Sequence, residues 1–119
     1  MIFTGIARTF SLEGEKQYET IGQFWDEMSE IYGLENLRGL GYNWQDGKIS
    51  YAIGLKNGKI EGCNLEINLP NDGWLYASGR TDNLKATYDE IYKDGSLSLE
   101  IEEFYEDGSF KISYYRKQR

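Results

Sequence analysis

The sequence predicts an α+β fold built from two βαββ units, with an antiparallel sheet carrying both helices on one face. Three observations carry this. Two segments repeat apolar residues at helical spacing. Two Asp-Gly pairs, Asp46-Gly47 and Asp107-Gly108, each sit between alternating runs, which is the pattern of a tight hairpin. Finally, the order strand, helix, hairpin occurs twice, with Arg8-Thr9 before the first helix and Arg80-Thr81 before the second.

Taken in order, Met1 to Leu12 alternate loosely and read as a strand, and Glu13-Gly14-Glu15-Lys16 reads as a loop. Thr20 with Gln23 three positions on matches a capping box, and Ile21, Phe24, Trp25, Met28, Ile31 and Tyr32 form one buried stripe. Gly33 ends that helix. A two-residue turn at Asp46-Gly47 pairs Trp44 with Ile49, Tyr42 with Tyr51 and Leu40 with Ile53, all on one face. Asn57-Gly58 turns into Ile60 and Glu61, after which the apolar phase slips, so a bulge or break is expected near Gly62. Pro70 to Gly73 is a turn and Trp74 to Gly79 a short strand. Thr81 or Asp82 caps a second helix with the stripe Leu84, Tyr88, Ile91 and Tyr92, stopped by Asp94-Gly95. A last hairpin at Asp107-Gly108 pairs Tyr105 with Phe110, Glu103 with Ile112 and Ile101 with Tyr114.

A length of 119 residues suits one domain, 1–119, with units of about 1–56 and 60–117. The formal net charge is −7, and a domain of that sign without a basic stripe is repelled by nucleic acid. The basic cluster Tyr115-Arg116-Lys117-Gln118-Arg119 reads as a solvated tail. No apolar run is long enough to span a bilayer, so no membrane partner is expected. Cys63 is alone and reads as a small buried hydrophobe, consistent with a reducing cytoplasm. Histidine is absent, which excludes imidazole acid–base chemistry, His-based triads and most zinc sites. The turn aspartates Asp46, Asp94 and Asp107 are not metal ligands, so neither metal nor cofactor is expected.

One residue breaks the pattern. In the strand Leu97 to Tyr105, the odd positions are otherwise apolar, so period-two geometry puts Glu103 on the inner face and sends Glu100 and Glu102 to solvent. An inward carboxylate facing Tyr42, Trp44, Tyr51, Tyr105 and Trp25 equips a site for a cation. Equally, Glu103 could pair with Arg8, Arg80 or Arg116, or lie at a strand end where water reaches it, and helical Trp25, Phe24 and Tyr88 could be plain core.

With these residues placed, the chain resembles the GyrI-like small-molecule-binding domains of AraC- and MerR-type multidrug-responsive regulators and their stand-alone relatives. The matching pieces are Phe3-Thr4-Gly5-Ile6, Ile21-Gly22-Gln23-Phe24-Trp25, Gly41-Tyr42 through Tyr51-Ala52-Ile53-Gly54, Trp74 to Gly79, Tyr88 to Tyr92, and Glu103-Phe104-Tyr105. The resemblance implies a pair of βαββ modules with a ligand cleft at their pseudo-twofold, anchored by the Glu-x-Tyr glutamate, Glu103. It departs at Tyr92-Lys93-Asp94-Gly95, where the family has a Trp-Leu-Pro stretch, and at Ile21-Gly22, where it has Ile-Pro; no DNA-binding helical domain is expected ahead of the module. The implied role is to sense or sequester a lipophilic aromatic or cationic compound. The alternatives are hydrolysis of a reactive small toxin by Glu103 with Tyr51, and inhibitory docking on a protein partner as in gyrase-inhibitory relatives. A protein partner or a second copy of the chain stays open.

Overall fold

In the computed structural model, which describes residues 1–93 and 95–117, seven strands and two helices alternate. The strands are β1 (Ile2–Ser11), β2 (Leu37–Gln45), β3 (Lys48–Leu55), β4 (Leu65–Asn68), β5 (Leu75–Arg80), β6 (Leu97–Phe104) and β7 (Ser109–Arg116). Helix α1 (Gln17–Tyr32) lies between β1 and β2, and α2 (Leu84–Tyr92) between β5 and β6. The sheet order is β4-β1-β3-β2-β6-β7-β5, antiparallel throughout. Leaving out β4, the blocks β1-β3-β2 and β6-β7-β5 exchange under a twofold between β2 and β6. The repeated βαββ topology expected from the sequence is therefore present, and both helices cover one face. No helix among the described residues is long and apolar enough to cross a membrane.

The sheet is buried on both faces, each by a different means. On the helix face, Phe24, Trp25 and Met28 of α1 meet Leu37, Ile49, Tyr51 and Ile53, while Tyr88 and Ile91 of α2 meet Phe110 and Ile112. Each such side chain contributes roughly 1.5–3 kcal/mol by leaving water. The opposite face has no helix among the described residues. Phe3, Leu40, Ala52 and Ile101 are covered there by Leu69, with Leu65, Ile67 and Trp74 around them.

Helix α1 starts one turn before the expected cap. A single 3-10 turn over Glu13–Glu15 feeds directly into it, and the Thr20 hydroxyl donates to the Lys16 carbonyl at 3.0 Å instead of capping the end. Ile31 leaves the stripe and is 70% exposed. Gly33 does end the helix, at φ 87°, with its N–H on the Ser29 carbonyl. Gly62, also at positive φ, marks the expected break, but Ile60 and Glu61 form a turn and no strand. Cys63 is only partly buried. Asp94, proposed as part of the α2 stop, lies outside the described residues, as do Gln118 and Arg119. Tyr115 and Arg116 belong to β7, so the basic cluster is not wholly a tail. Arg116 donates to the Ile91 carbonyl and to Ser96.

Both hairpins differ from expectation by one residue, and this decides which side chains face the helices. At the first, Asp46 (φ 54°) and Gly47 (φ 71°) form the expected two-residue turn with Gln45 opposite Lys48. A bulge then intervenes between Tyr42 and Gln45, where Asn43 has φ 57°. Beyond it Tyr42 faces Ser50, Gly41 faces Tyr51 and Gly39 faces Ile53, in place of the expected pairs. At the second, the loop has three residues, Glu106 to Gly108, closed by Tyr105 N–H to the Ser109 carbonyl, with Gly108 at φ 85°. Phe104 therefore pairs with Phe110, Glu103 with Lys111, and Glu102 with Ile112. A one-residue slip exchanges the faces of a strand. Glu100 and Glu102, expected in solvent, point to the helices and are 1% and 3% exposed. Glu103 points to the other face.

Candidate functional site

The middle of the helix face has a floor of two glycines. Gly39 and Gly41 on β2 stand opposite Glu102 and Glu100 on β6. A Cβ at Gly39 would collide with the Tyr51 hydroxyl and lie 2.8 Å from Trp25 Cζ2. One at Gly41 would lie 3.3 Å from Trp44 Cζ2 and 3.4 Å from Glu100 Oε1. Strand glycines commonly mark such close approach. Here they let a tyrosine hydroxyl and two carboxyl groups lie low against the sheet.

Above this floor is a cavity of about 120 Å³ between α1, α2 and the sheet. Trp25 and Tyr18 wall it from α1, Tyr88 and Tyr92 from α2, and Trp44, Tyr51 and Phe104 from the sheet. The rings hold one another. Trp25 meets Phe104 edge-on at 5.0 Å, and Tyr88 stacks on Tyr92 at 5.7 Å and 4°. Leu12, Gln17, Trp44 and Tyr92 also line a neighbouring surface hollow, so the two share this wall.

Two carboxyl groups lie at the bottom. Trp25 Nε1–H donates to Tyr51 Oη at 2.8 Å, and Tyr51 O–H donates to Glu102 Oε1 at 2.6 Å. Tyr92 O–H lies 3.0 and 3.1 Å from the two Glu100 oxygens. Glu102 Oε2 and Gln17 Oε1, both buried, have no hydrogen-bond donor. No ion pair reaches either carboxyl among the described residues. Burial raises both pKa values to about 7, against the opposing bonds from Tyr92 to Glu100 and from Tyr51 to Glu102. The same burial, with the carboxylates second, pushes the Tyr51 and Tyr92 hydroxyls up. Tyr18 is raised by burial and then by Asp89. Tyr114 stands opposite Glu100 on β7. The cavity thus gathers acidic groups and aromatic faces.

Of the residues expected at a site, Trp25, Trp44 and Tyr51 come together here. Tyr42 does not: the bulge turns it to the opposite face, beside Leu99 and Ile67. Glu103 lies on that face too, in a surface hollow with Arg38, Lys111 and Trp74, which corrects its expected inward position. Its carboxylate accepts from the Tyr105 hydroxyl at 3.2 Å, and Lys56 Nζ lies 4.8 Å from the centre of the Tyr105 ring. Arg8 instead bonds Glu27 at 3.0 Å, and Arg80 the Asp107 carbonyl. Glu100 and Glu102 are the residues the sequence reading missed. The signal was Gly39-Leu40-Gly41, two glycines at alternate positions within a strand, which call for bulky neighbours across the sheet.

No protein-family model and no curated protein matches this sequence. Solved structures do. SAV2435 bound to tetraphenylphosphonium superposes with a TM-score of 0.69 at 16% identity, over 98% of this chain and 88% of that one. A candidate bacterial transcription regulation protein from Staphylococcus aureus MU50 gives 0.67 at 17% identity, over 99% and 93%. At such identity the likeness establishes a shared fold.

Proposed function

We propose that this chain binds lipophilic organic cations in the cavity between α1 and α2, with Glu102 and Glu100 as the anionic anchor and Trp25, Trp44, Tyr51 and Tyr92 as the walls. One observation carries this: two buried carboxyl groups share an aromatic cavity, and among the described residues no cation of the protein's own is paired to them. Each ionised carboxylate there costs the fold energy, and a positive guest removes that cost. Aromatic faces add roughly 0.5–2 kcal/mol apiece for a desolvated cation. A protein of the same fold bound to tetraphenylphosphonium supports the reading. The role that follows is sensing or sequestration in a regulatory setting, as a module folded over the 1–119 range.

Titration calorimetry with a size-graded series of lipophilic cations, tetraphenylphosphonium included, against neutral molecules of equal shape tests the proposal. Saturable binding of the cations small enough for the cavity, and not of their neutral partners, is expected, weakened at least tenfold in Glu102→Gln. Equal affinity for the neutral partners would contradict it.

A second reading rests on the Tyr51–Glu102 bond: a carboxyl titrating near 7 suits a general base. Under it, reactive small electrophiles are hydrolysed, and Glu102→Gln abolishes turnover while leaving binding of the electrophile intact.

A further inference from the structure

Resting on the cation-binding reading, we propose that the guest this cavity is built for is a single-ring protonated amine, which donates N–H hydrogen bonds to Glu102 Oε2 and Gln17 Oε1, in preference to a fully substituted onium ion. The cavity walls offer acceptors where a guest would need donors. Glu102 Oε2 is buried with no donor within reach among the described residues, although Glu102 Oε1 accepts from Tyr51 and the single Tyr92 hydroxyl is shared between the Glu100 oxygens. Gln17 Oε1, on the α1 side of the same cavity, is buried and equally without a donor. An unsatisfied buried acceptor costs the protein about 1–3 kcal/mol, and two in one cavity mark the place of an absent donor.

A quaternary ammonium or phosphonium ion brings charge but no N–H, so it leaves both acceptors unmet. An ammonium group brings charge and up to three donors on one small atom. Size points the same way. A cavity of roughly 150 Å³ in another protein is known to admit benzene. The 120 Å³ available here is smaller still, so it limits the guest to a single ring. The ring would sit among Trp25, Trp44 and Tyr88, with the ammonium group on the carboxyl floor.

The test is calorimetry with benzylammonium, benzyltrimethylammonium and the neutral benzyl methyl ether, on the wild type and on Glu102→Gln. Substituting Glu102 by Gln keeps an acceptor for the Tyr51 hydroxyl, so the fold is retained. In the wild type, benzylammonium is expected to bind at least tenfold tighter than its trimethyl analogue, and Glu102→Gln to erase most of that difference. If the trimethyl compound binds equally well, or if the difference survives in Glu102→Gln and therefore reflects size alone, the amine preference is wrong and cation binding stands. If neither cation binds better than the ether, both proposals fall.

Discussion

Glu102 and Glu100 carry the clearest measurable consequences. Unfolded, such a carboxyl titrates near its ordinary value of 4.5, whereas folded it titrates near 7 because burial disfavours the charge. Between those values the folded state keeps a proton that the unfolded state has released. Stability is therefore greatest at the acid end of this window and is lost as pH rises through it. The loss is of order 3 kcal/mol for each carboxyl. Thermal unfolding between about pH 5 and pH 8 should show a falling Tm, and Glu102→Gln should remove roughly half of the slope and raise Tm at the alkaline end. A wild-type Tm that is flat across this range would mean the two groups are not buried as described. Gly39 offers a second check. Gly39→Ala puts a methyl group into the Tyr51 hydroxyl and breaks the Trp25–Tyr51–Glu102 chain. Urea unfolding should register a cost of about 2–3 kcal/mol. A cost near zero would show that the floor yields freely.

The strands and their turns explain what could and could not be read in advance. Helices α1 and α2, the turn at Asp46-Gly47 and the doubled βαββ order were legible, because helical periodicity and turn chemistry are local signals. The faces of β2 and β6 were not. Asn43 at positive φ adds a bulge that no neighbouring residue type announces, and Asp107-Gly108 suits a three-residue loop as well as a two-residue one. Each shifts register by a single position, which was enough to exchange Glu103 for Glu102 at the cavity and to turn Tyr42 away from it. The three-residue loop can be tested directly. Replacing Glu106-Asp107-Gly108 by Asn-Gly imposes the shorter turn and sets the wrong face of β6 toward the helices. The urea midpoint should fall by the equivalent of roughly 3 kcal/mol or more, since two carboxyls and two apolar residues exchange surroundings. An unchanged midpoint would mean that the loop does not set the register.

The two βαββ units meet along β2 and β6, and that seam is where the glycine floor, the carboxyls and the facing helices coincide. A cavity at the seam draws walls from both units, so neither unit alone supplies a complete site. Glu102 and Glu100 come from the second, Trp25, Trp44 and Tyr51 from the first. Under the proposed function, binding and protonation are linked through this shared floor. A cation that lowers the carboxyl pKa values must expel their protons, so affinity should rise with pH through 7, opposite in sign to the stability of the empty protein. The most direct measurement is a carbon-13 NMR titration of the glutamate side-chain carboxyls with and without a lipophilic cation. Two resonances should titrate near 7 in the free protein and shift to the ionised position on adding the cation, at a pH slightly below 7. Two buried resonances that keep the same midpoint at saturating cation would contradict the central claim that these carboxyls are the anchor.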